Sequence, residues 1–338
     1  MKAVALTRYL PIDHPESLLD RDLETPVAAG HDLLVEVKAI SVNPVDCKVR
    51  APKDRVETAA KVLGWDVAGV VKAVGADVTL FKVGDPVYYA GSITRPGGNS
   101  EFHLVDERIV GRMPKSLGFA EAAALPLTTL TAWEALFHRL GVARDGSEAG
   151  KAVLIIGGAG GVGSIAIQLA KQLAKLRVIA TASRAPSAQW ARQLGADDII
   201  DHNQALSQQL ARIGVPEVDY ILCFNGLDQH FPAFAGIIKP QGKICLIVGT
   251  DSLLPLGSLM SKSVTVAWEL MFTRAMFNTP DMVAQHQLLN EAADLVDRGI
   301  LRTTLAENFG PINAANLKRA HKSLEEGHAI GKIVLAGF

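Results

Sequence analysis

The stretch "KAVLIIGGAGGVGSIAIQLAK", residues 151–171, constrains the fold more than any other part of the chain. Its apolar run reads as a buried strand, its glycines as a tight turn, and "VGSIAIQLAKQLA" as a helix. Such a turn needs residues that tolerate positive φ. Backbone N–H groups with no Cβ in front of them can also close on a phosphate at the helix N-terminus. Gly158, Gly160 and Gly163 satisfy the G-x-G-x-x-G spacing, Gly157 and Gly161 loosen the same turn, and Val162 completes it. The spacing alone is a weak signal, because glycine runs also build plain turns. The strand before it, the helix after it and the series that follows make it specific.

That series alternates strand and helix. "RVIATA" is strand, "SAQWARQLG" helix, "DDIID" strand, "ALSQQLARIG" helix, "VDYILCF" strand, "FPAFAGIIKP" helix and "GKICLIVG" strand, and the shorter "SVTVAWE" extends the set. Strands alternating with helices predict a parallel, doubly wound sheet covered on both faces. Ligands of such sheets bind at the carboxyl ends of the strands, which makes Asn225, Gly249 and Thr250 candidate cofactor contacts. The cofactor reading is a dinucleotide, specifically NADPH. A site for NAD places Asp or Glu at the end of the second strand, whereas no acidic residue occurs from Lys171 to Ala196 and Ser183-Arg184 stand in that place. A 2′-phosphate brings roughly two negative charges and suits hydroxyl and guanidinium donors.

Residues 1–125 have a different texture. "HDLLVEVKAISVNPVD" alternates and then turns at Asn43-Pro44, and "DVAGVVKAVGADVTLFKVGDPVYYA" is short β-rich runs cut by glycine and proline. These predict a small, largely antiparallel domain. "SLGFAEAAALPLTTLTAWEALFHRLG" reads as two helices broken at Pro126. In the tail, "TPDMVAQHQLLNEAADLVDRG" is a long helix, and the last residues form a strand able to complete the first domain's sheet. The formal net charge of −1 argues against a nucleic-acid surface, and no apolar stretch reaches membrane-spanning length. Cys47, Cys223 and Cys245 form no CxxC and read as free thiols in a reducing compartment, so a cytoplasmic protein without a signal peptide is expected.

Several segments together resemble the medium-chain dehydrogenase/reductase superfamily, on its zinc-free quinone-oxidoreductase side. They are "AISVNPVDCKVR", "LGWDVAGVVKAVG", "GDPVYYAG", "AAALPLTTLTAWEAL", "IIGGAGGVGSIAIQLAK" and "GKIVL", in order along the chain. The tail from Trp268 looks like a subgroup often named zinc-type alcohol dehydrogenase-like. The resemblance implies a GroES-like catalytic domain from both chain ends, residues 1–125 and 268–338. It implies an inserted Rossmann domain, residues 126–267, and an active-site cleft between the two. It also implies that Thr131 touches the nicotinamide end of the cofactor, and that two Rossmann domains meet in a homodimer, with "SVTVAWE" as the candidate edge.

Zinc-containing relatives bind the catalytic metal with a Cys, a Gly-His-Glu motif and a later Cys. This chain has Asn43, Gly64-Trp65-Asp66 and Pro126 at those places, so no metal site is expected. Polarising a simple alcohol without a metal is hard. A quinone or an α,β-unsaturated carbonyl delocalises the incoming hydride charge onto oxygen, where a few hydrogen-bond donors can hold it. The expected activity is therefore NADPH-dependent reduction of a small electrophile of that kind. Asn43 is the candidate donor to the developing oxyanion, Asp46 a group of the cleft wall, and Tyr88 a residue that lines or caps the pocket, as do Tyr89 and Phe272. Two alternatives stay open: a zinc-dependent alcohol dehydrogenase, and a non-catalytic NADPH-binding sensor or structural protein.

Overall fold

The computed structural model describes all residues, Met1–Phe338. The chain divides into two units, Met1–Leu127 together with Phe272–Phe338, and Thr128–Met271.

The second unit is built on a six-stranded parallel sheet. Its strands, in spatial order, are Asp198–Ile200, Arg177–Thr181, Ala152–Ile156, Val218–Cys223, Ile238–Leu246 and Thr265–Trp268. Ala152–Ile156 lies centrally and all five residues are buried, which is why this strand reads as an unbroken apolar run rather than an alternation. Leu154, Ile156, Ile179, Ile221 and Ile244 pack with Phe231 and Phe234 of helix Leu227–Ile237 in one buried core. The order of strands reverses beside Ala152–Ile156, so the turn that leaves it opens at the switch point of the sheet. Ile238, Lys239 and Pro240, read as helical from sequence, are strand, because helix Leu227–Ile237 ends one residue earlier. The expected edge element is in place: Thr265–Trp268 pairs with Ile238–Leu246 and with no other strand.

The first unit holds a seven-stranded sheet. Leu305–Asn308, Lys332–Ala336, Asp32–Ser41, Val67–Val74, Pro86–Tyr89 and Val110–Arg112 run in that order, and Phe102–Asp106 also pairs with Asp32–Ser41. All these pairings are antiparallel except that of Leu305–Asn308 with Lys332–Ala336. The last strand thus joins the sheet of the first residues, as its apolar pattern suggested. A separate three-stranded sheet contains Leu19–Asp22, Lys2–Tyr9 and Lys53–Val62.

Three local readings change. The chain does not simply turn at Asn43-Pro44: Pro44 is the first residue of a helix, Pro44–Arg50, and Asn43 caps it. Proline suits that position because its missing N–H is one a helix start leaves without an intrahelical partner. The long helix of the tail is shorter than its apolar pattern. A short helix, Thr273–Phe277, ends at Asn278 in the left-handed region (φ 46°), and the long one runs only over Ala284–Asp297. Helix Ala314–Glu325 and strand Lys53–Val62 were not singled out by pattern at all. No helix is long and apolar enough to cross a membrane.

Candidate functional site

The glycine turn of the second unit begins where Ala152–Ile156 ends. Gly157 takes φ +84°. Its N–H donates to the Thr181 hydroxyl at 3.0 Å and the Gly158 N–H to the Thr181 carbonyl at 3.2 Å, which ties the turn to the end of the neighbouring strand. Gly160 is the N-cap of helix Gly161–Gln172. The glycines differ in what they are for. A Cβ on Gly163 would lie 2.2 Å from the Gly157 carbonyl oxygen, and one on Gly158 would lie 2.7 Å from the Ala180 Cβ, so these two permit close packing. A Cβ on Gly160 would meet only the Gly157 oxygen, at 3.5 Å. The space in front of Gly160 is therefore open. The Asn225 amide stands at the same turn, 3.1 Å from where a Gly157 Cβ would be. Glycines that admit a ligand, a helix N-terminus behind them and a polar side chain beside them form a cradle that fits a dinucleotide diphosphate.

The other sequence candidates of this unit surround it to different degrees. Ser183 and Arg184 are exposed just past Arg177–Thr181, and Arg184 caps helix Ala185–Gln193. Thr250 donates its hydroxyl to Asp228 and accepts from the Ser252 N–H at 2.9 Å, and Gly249 beside it is exposed. Thr131 is buried within helix Pro126–Trp133. Thr181, which anchors the turn, was missed by sequence reasoning; its signal was only that a β-branched hydroxyl ended the second strand.

The first unit contains a buried polar cluster. The antiparallel register pairs Val334 with Ser41, and one step on the Val42 N–H donates to the Ile333 carbonyl at 3.1 Å. The next step brings Lys332 to Asn43. Its ammonium donates to the Val42 carbonyl at 2.8 Å, to Asn43 Oδ1, and to Asp66 Oδ2 at 3.0 Å. Asn43 Nδ2 donates to Asp66 Oδ2 at 2.9 Å and to the Trp65 carbonyl at 3.2 Å, with the Ser41 carbonyl at 3.4 Å. Asp66 Oδ1 accepts from the Leu127 N–H at 2.8 Å. Asp46 Oδ2 accepts from the Asn43 N–H at 2.6 Å. Asn43, Asp46 and Asp66 are all within 1% of full burial and Lys332 is 3% exposed.

Burial raises the Asp66 carboxyl above the usual carboxylate range, and Lys332, the Leu127 N–H and the Asn43 amide pull it back. Every contact it makes is one in which it accepts, which is the geometry of an ionised carboxylate. Asp46 is pushed up to about 7, first by burial, with Asn43 and Lys332 opposing.

This geometry bears on the expected catalytic roles. The Asn43 amide has no proton left for a substrate oxygen, because both face protein acceptors. Tyr88 is fully buried and its hydroxyl donates to the Leu289 carbonyl at 2.6 Å, so it packs within the unit. Tyr89 is equally buried, bonded at 3.0 Å to His103 Nδ1, whose Nε2 reaches the Pro96 carbonyl. The Trp65 indole donates to the Ser92 carbonyl at 3.1 Å and stands edge-on to Phe272 at 6.2 Å. Lys332 is the member of this buried cluster that sequence reasoning overlooked. Its one signal was a lysine opening an apolar strand, "GKIVL".

Two family models cover most of this chain. Residues 29–133 match the alcohol dehydrogenase GroES-like domain and residues 194–335 match the zinc-binding dehydrogenases. The zinc-type alcohol dehydrogenase-like protein of Staphylococcus epidermidis is 40% identical over 337 residues, 99% of each chain. The chain belongs to the medium-chain dehydrogenase/reductase superfamily. The first unit is thus its GroES-like domain and the second its Rossmann-type, parallel-sheet domain. Two solved members extend the likeness. One, from Rhizobium etli CFN 42 and provisionally assigned to the zinc-dependent alcohol dehydrogenases, is 54% identical with a TM-score of 0.95, covering 100% of this chain and 98% of its own. The other, the quinone oxidoreductase of Escherichia coli complexed with NADPH, is 25% identical with a TM-score of 0.83, covering 99% of this chain and 100% of its own.

The superfamily names raise zinc, and the donors present do not fit it. Trp65 and Pro126 offer no ligand atom, and Asp66 is already engaged by an ammonium. Cys47 is buried and its thiol is directed at the His321 carbonyl oxygen, 3.7 Å away. No three His, Cys, Asp or Glu residues gather where a metal ion could be held.

Proposed function

We propose that this superfamily member is an NADPH-dependent reductase of quinones or α,β-unsaturated carbonyl compounds. The observation that carries the reading is the pairing of an open glycine cradle with Ser183-Arg184 at the end of the adjacent strand, where no acidic residue stands. When bound, the cofactor supplies a hydride. Gly157–Gly163 hold its diphosphate on backbone N–H groups, and Ser183 and Arg184 receive the 2′-phosphate. Thr131, Asn225, Gly249 and Thr250 flank the rest. The buried cluster of Asn43, Asp46, Asp66 and Lys332 holds the Trp65–Asp66 segment, which with Asn43 and Pro126 borders the substrate cleft in this reading, the Trp65 side chain itself being 1% exposed. The donor set disfavours metal-assisted alcohol oxidation and favours acceptors whose own conjugation spreads the incoming charge. The NADPH-complexed quinone oxidoreductase supports the same reading.

NADPH oxidation measured over a panel of quinones, alkenals, cyclic enones and simple aldehydes tests it. Turnover is expected on the conjugated acceptors, unaffected by chelators. Tight NADPH binding with no turnover on any of them would make the chain a binding protein. Activity lost to chelation and restored by zinc would make it a metal-dependent dehydrogenase.

The cofactor preference has its own test. Arg184→Ala is expected to weaken NADPH binding by about 1–3 kcal/mol, the scale of a lost charged hydrogen bond, and to leave NADH binding nearly unchanged. Calorimetric titration with both cofactors measures the difference, and equal losses for the two would reject the 2′-phosphate role.

The reading includes a homodimer. Thr265–Trp268 leaves one edge of the sheet without a strand partner, and Trp268 and Leu270 are each about half exposed there, at 51% and 50%. An exposed apolar edge needs covering, and a second copy of the same edge does so. Light scattering across a dilution series is expected to give a mass near twice 36.0 kDa. A mass that stays at one chain would remove the dimer.

A further inference from the structure

We propose that Lys332 is a positioning residue for the reaction, its buried ammonium fixing which way the Asn43 amide faces and thereby holding the Trp65–Asp66 segment in place. The inference rests on the reductase reading for its activity arm alone.

Protons and lone pairs fix the orientation of the Asn43 amide. An ammonium has three protons and no lone pair. Those of Lys332 go to the Val42 carbonyl, Asn43 Oδ1 and Asp66 Oδ2. An amide can be turned by half a revolution with little change of shape, and only its partners decide the orientation. Lys332 can accept nothing, so the side of Asn43 that faces it must be oxygen. Asp66 is an acceptor at both oxygens, so the side that faces it must be nitrogen. The two demands agree, and the amide has one allowed orientation.

From there the order spreads through backbone. Asn43 Nδ2 holds the Trp65 carbonyl, and Asp66, the next residue, holds the Leu127 N–H at the start of helix Pro126–Trp133. Trp65 is then set from both sides, by this cluster through its backbone and by the Ser92 carbonyl through its indole. Lys332 reaches this point from a strand 289 residues beyond Asn43, where it is also tied through its N–H to the Thr304 carbonyl.

Removing the ammonium alone strands the Asp66 carboxylate, so K332M can fail through folding. The double variant K332M/D66N avoids that, because replacing both members of a buried ion pair by groups of similar volume is often near neutral for stability. In it Asn43 keeps its neighbours in space but loses both charges that fixed its amide. The chain has tryptophans at positions 65, 133, 190 and 268 only, so the indole N–H resonances are few, and W65F assigns that of Trp65.

In the full-length K332M/D66N protein we expect the Trp65 indole resonance to shift or double while the other three stay. We expect kcat for a quinone to fall tenfold or more, with the dissociation constant for NADPH within twofold of wild type. A folded double variant with an unchanged Trp65 resonance and an unchanged kcat overturns the positioning role. A general loss of structure would move all four resonances and NADPH affinity together, and that result overturns it too. If the wild-type protein turns over no quinone or enone, the reductase reading falls, and the Trp65 resonance alone decides for or against Lys332.

Discussion

Gly163→Ala is expected to lower NADPH affinity by a hundredfold or more while the protein remains folded. The added Cβ would lie 2.2 Å from the Gly157 carbonyl oxygen, 2.7 Å from Gly158 Cα and 2.8 Å from Gly158 C. All three are backbone atoms of the turn itself, so none can swing aside as a side chain would. The turn must move away from helix Gly161–Gln172, and it is already tied to Thr181 by the N–H groups of Gly157 and Gly158. Overpacking of this kind costs about 1–3 kcal/mol, and alanine returns up to about 1 kcal/mol in helix propensity, so the net loss of stability is modest. Affinity suffers more. Misaligning two hydrogen bonds to a charged diphosphate costs about 3 kcal/mol at the lower end of their range. Titration of NADPH fluorescence, run beside thermal unfolding, measures both quantities. Gly236→Ala is the control, because a Cβ there meets nothing within 4 Å. A Gly163→Ala protein that binds NADPH like wild type would mean the turn is not the diphosphate site.

Asp46→Asn is expected to stabilise the protein at pH 8 by up to about 4 kcal/mol, and by almost nothing at pH 3. The buried Asp46 carboxyl is pushed up to about 7 from an ordinary value of 3.8. A group with a raised folded-state value binds its proton more tightly when folded. Its contribution is fully present below pH 3.8, falls as the pH rises from there, and is gone once the pH has passed about 7. Three pH units of separation correspond to about 4 kcal/mol. Asparagine at position 46 does not ionise, and its carbonyl oxygen can still accept the Asn43 N–H now bonded to Asp46 Oδ2 at 2.6 Å. The difference between variant and wild type should therefore grow from pH 4 to pH 7 and be flat above. Denaturant unfolding at a series of pH values follows it. A difference that is constant over this range would show that Asp46 ionises normally, held by Lys332 more strongly than burial opposes it.

Both predictions concern residues visible in the sequence, yet they were visible to different degrees. The glycine turn was legible because its physics is local. Positive φ, close approach and a helix N-terminus are all demands on consecutive residues, and the strand before the turn and the helix after it lie within the same stretch. The parallel sheet was legible for the same reason, since each strand carries an apolar run set by burial on both faces. Where local rules compete, the reading failed. Asn43-Pro44 satisfies both a turn and a helix start, and only the packing of Pro44–Arg50 selects the helix. In the tail the helical pattern starts at Thr279, but residues 279–283 form turns and the helix runs only over Ala284–Asp297.

The buried polar cluster lies at the other extreme. Asn43, Trp65, Asp66 and Pro126 stood out in the sequence as places where metal ligands are missing, but nothing in the sequence said what replaces them. The structure gathers Lys332 to Asn43 and Asp66, and it arrives through an antiparallel register between strands from opposite ends of the chain. Residue types and their local order determined the glycine turn and the parallel sheet around it. Tertiary structure alone decided that Lys332 joins Asp66 and Asn43, that Asn43 commits its amide to Trp65 and Asp66, and that Tyr88 is committed to Leu289. The physical reason is the range of the forces that choose. Backbone conformation and burial act on neighbours in sequence, whereas a buried charge is held by whichever opposite charge and hydrogen-bond acceptors the fold brings within about 3 Å.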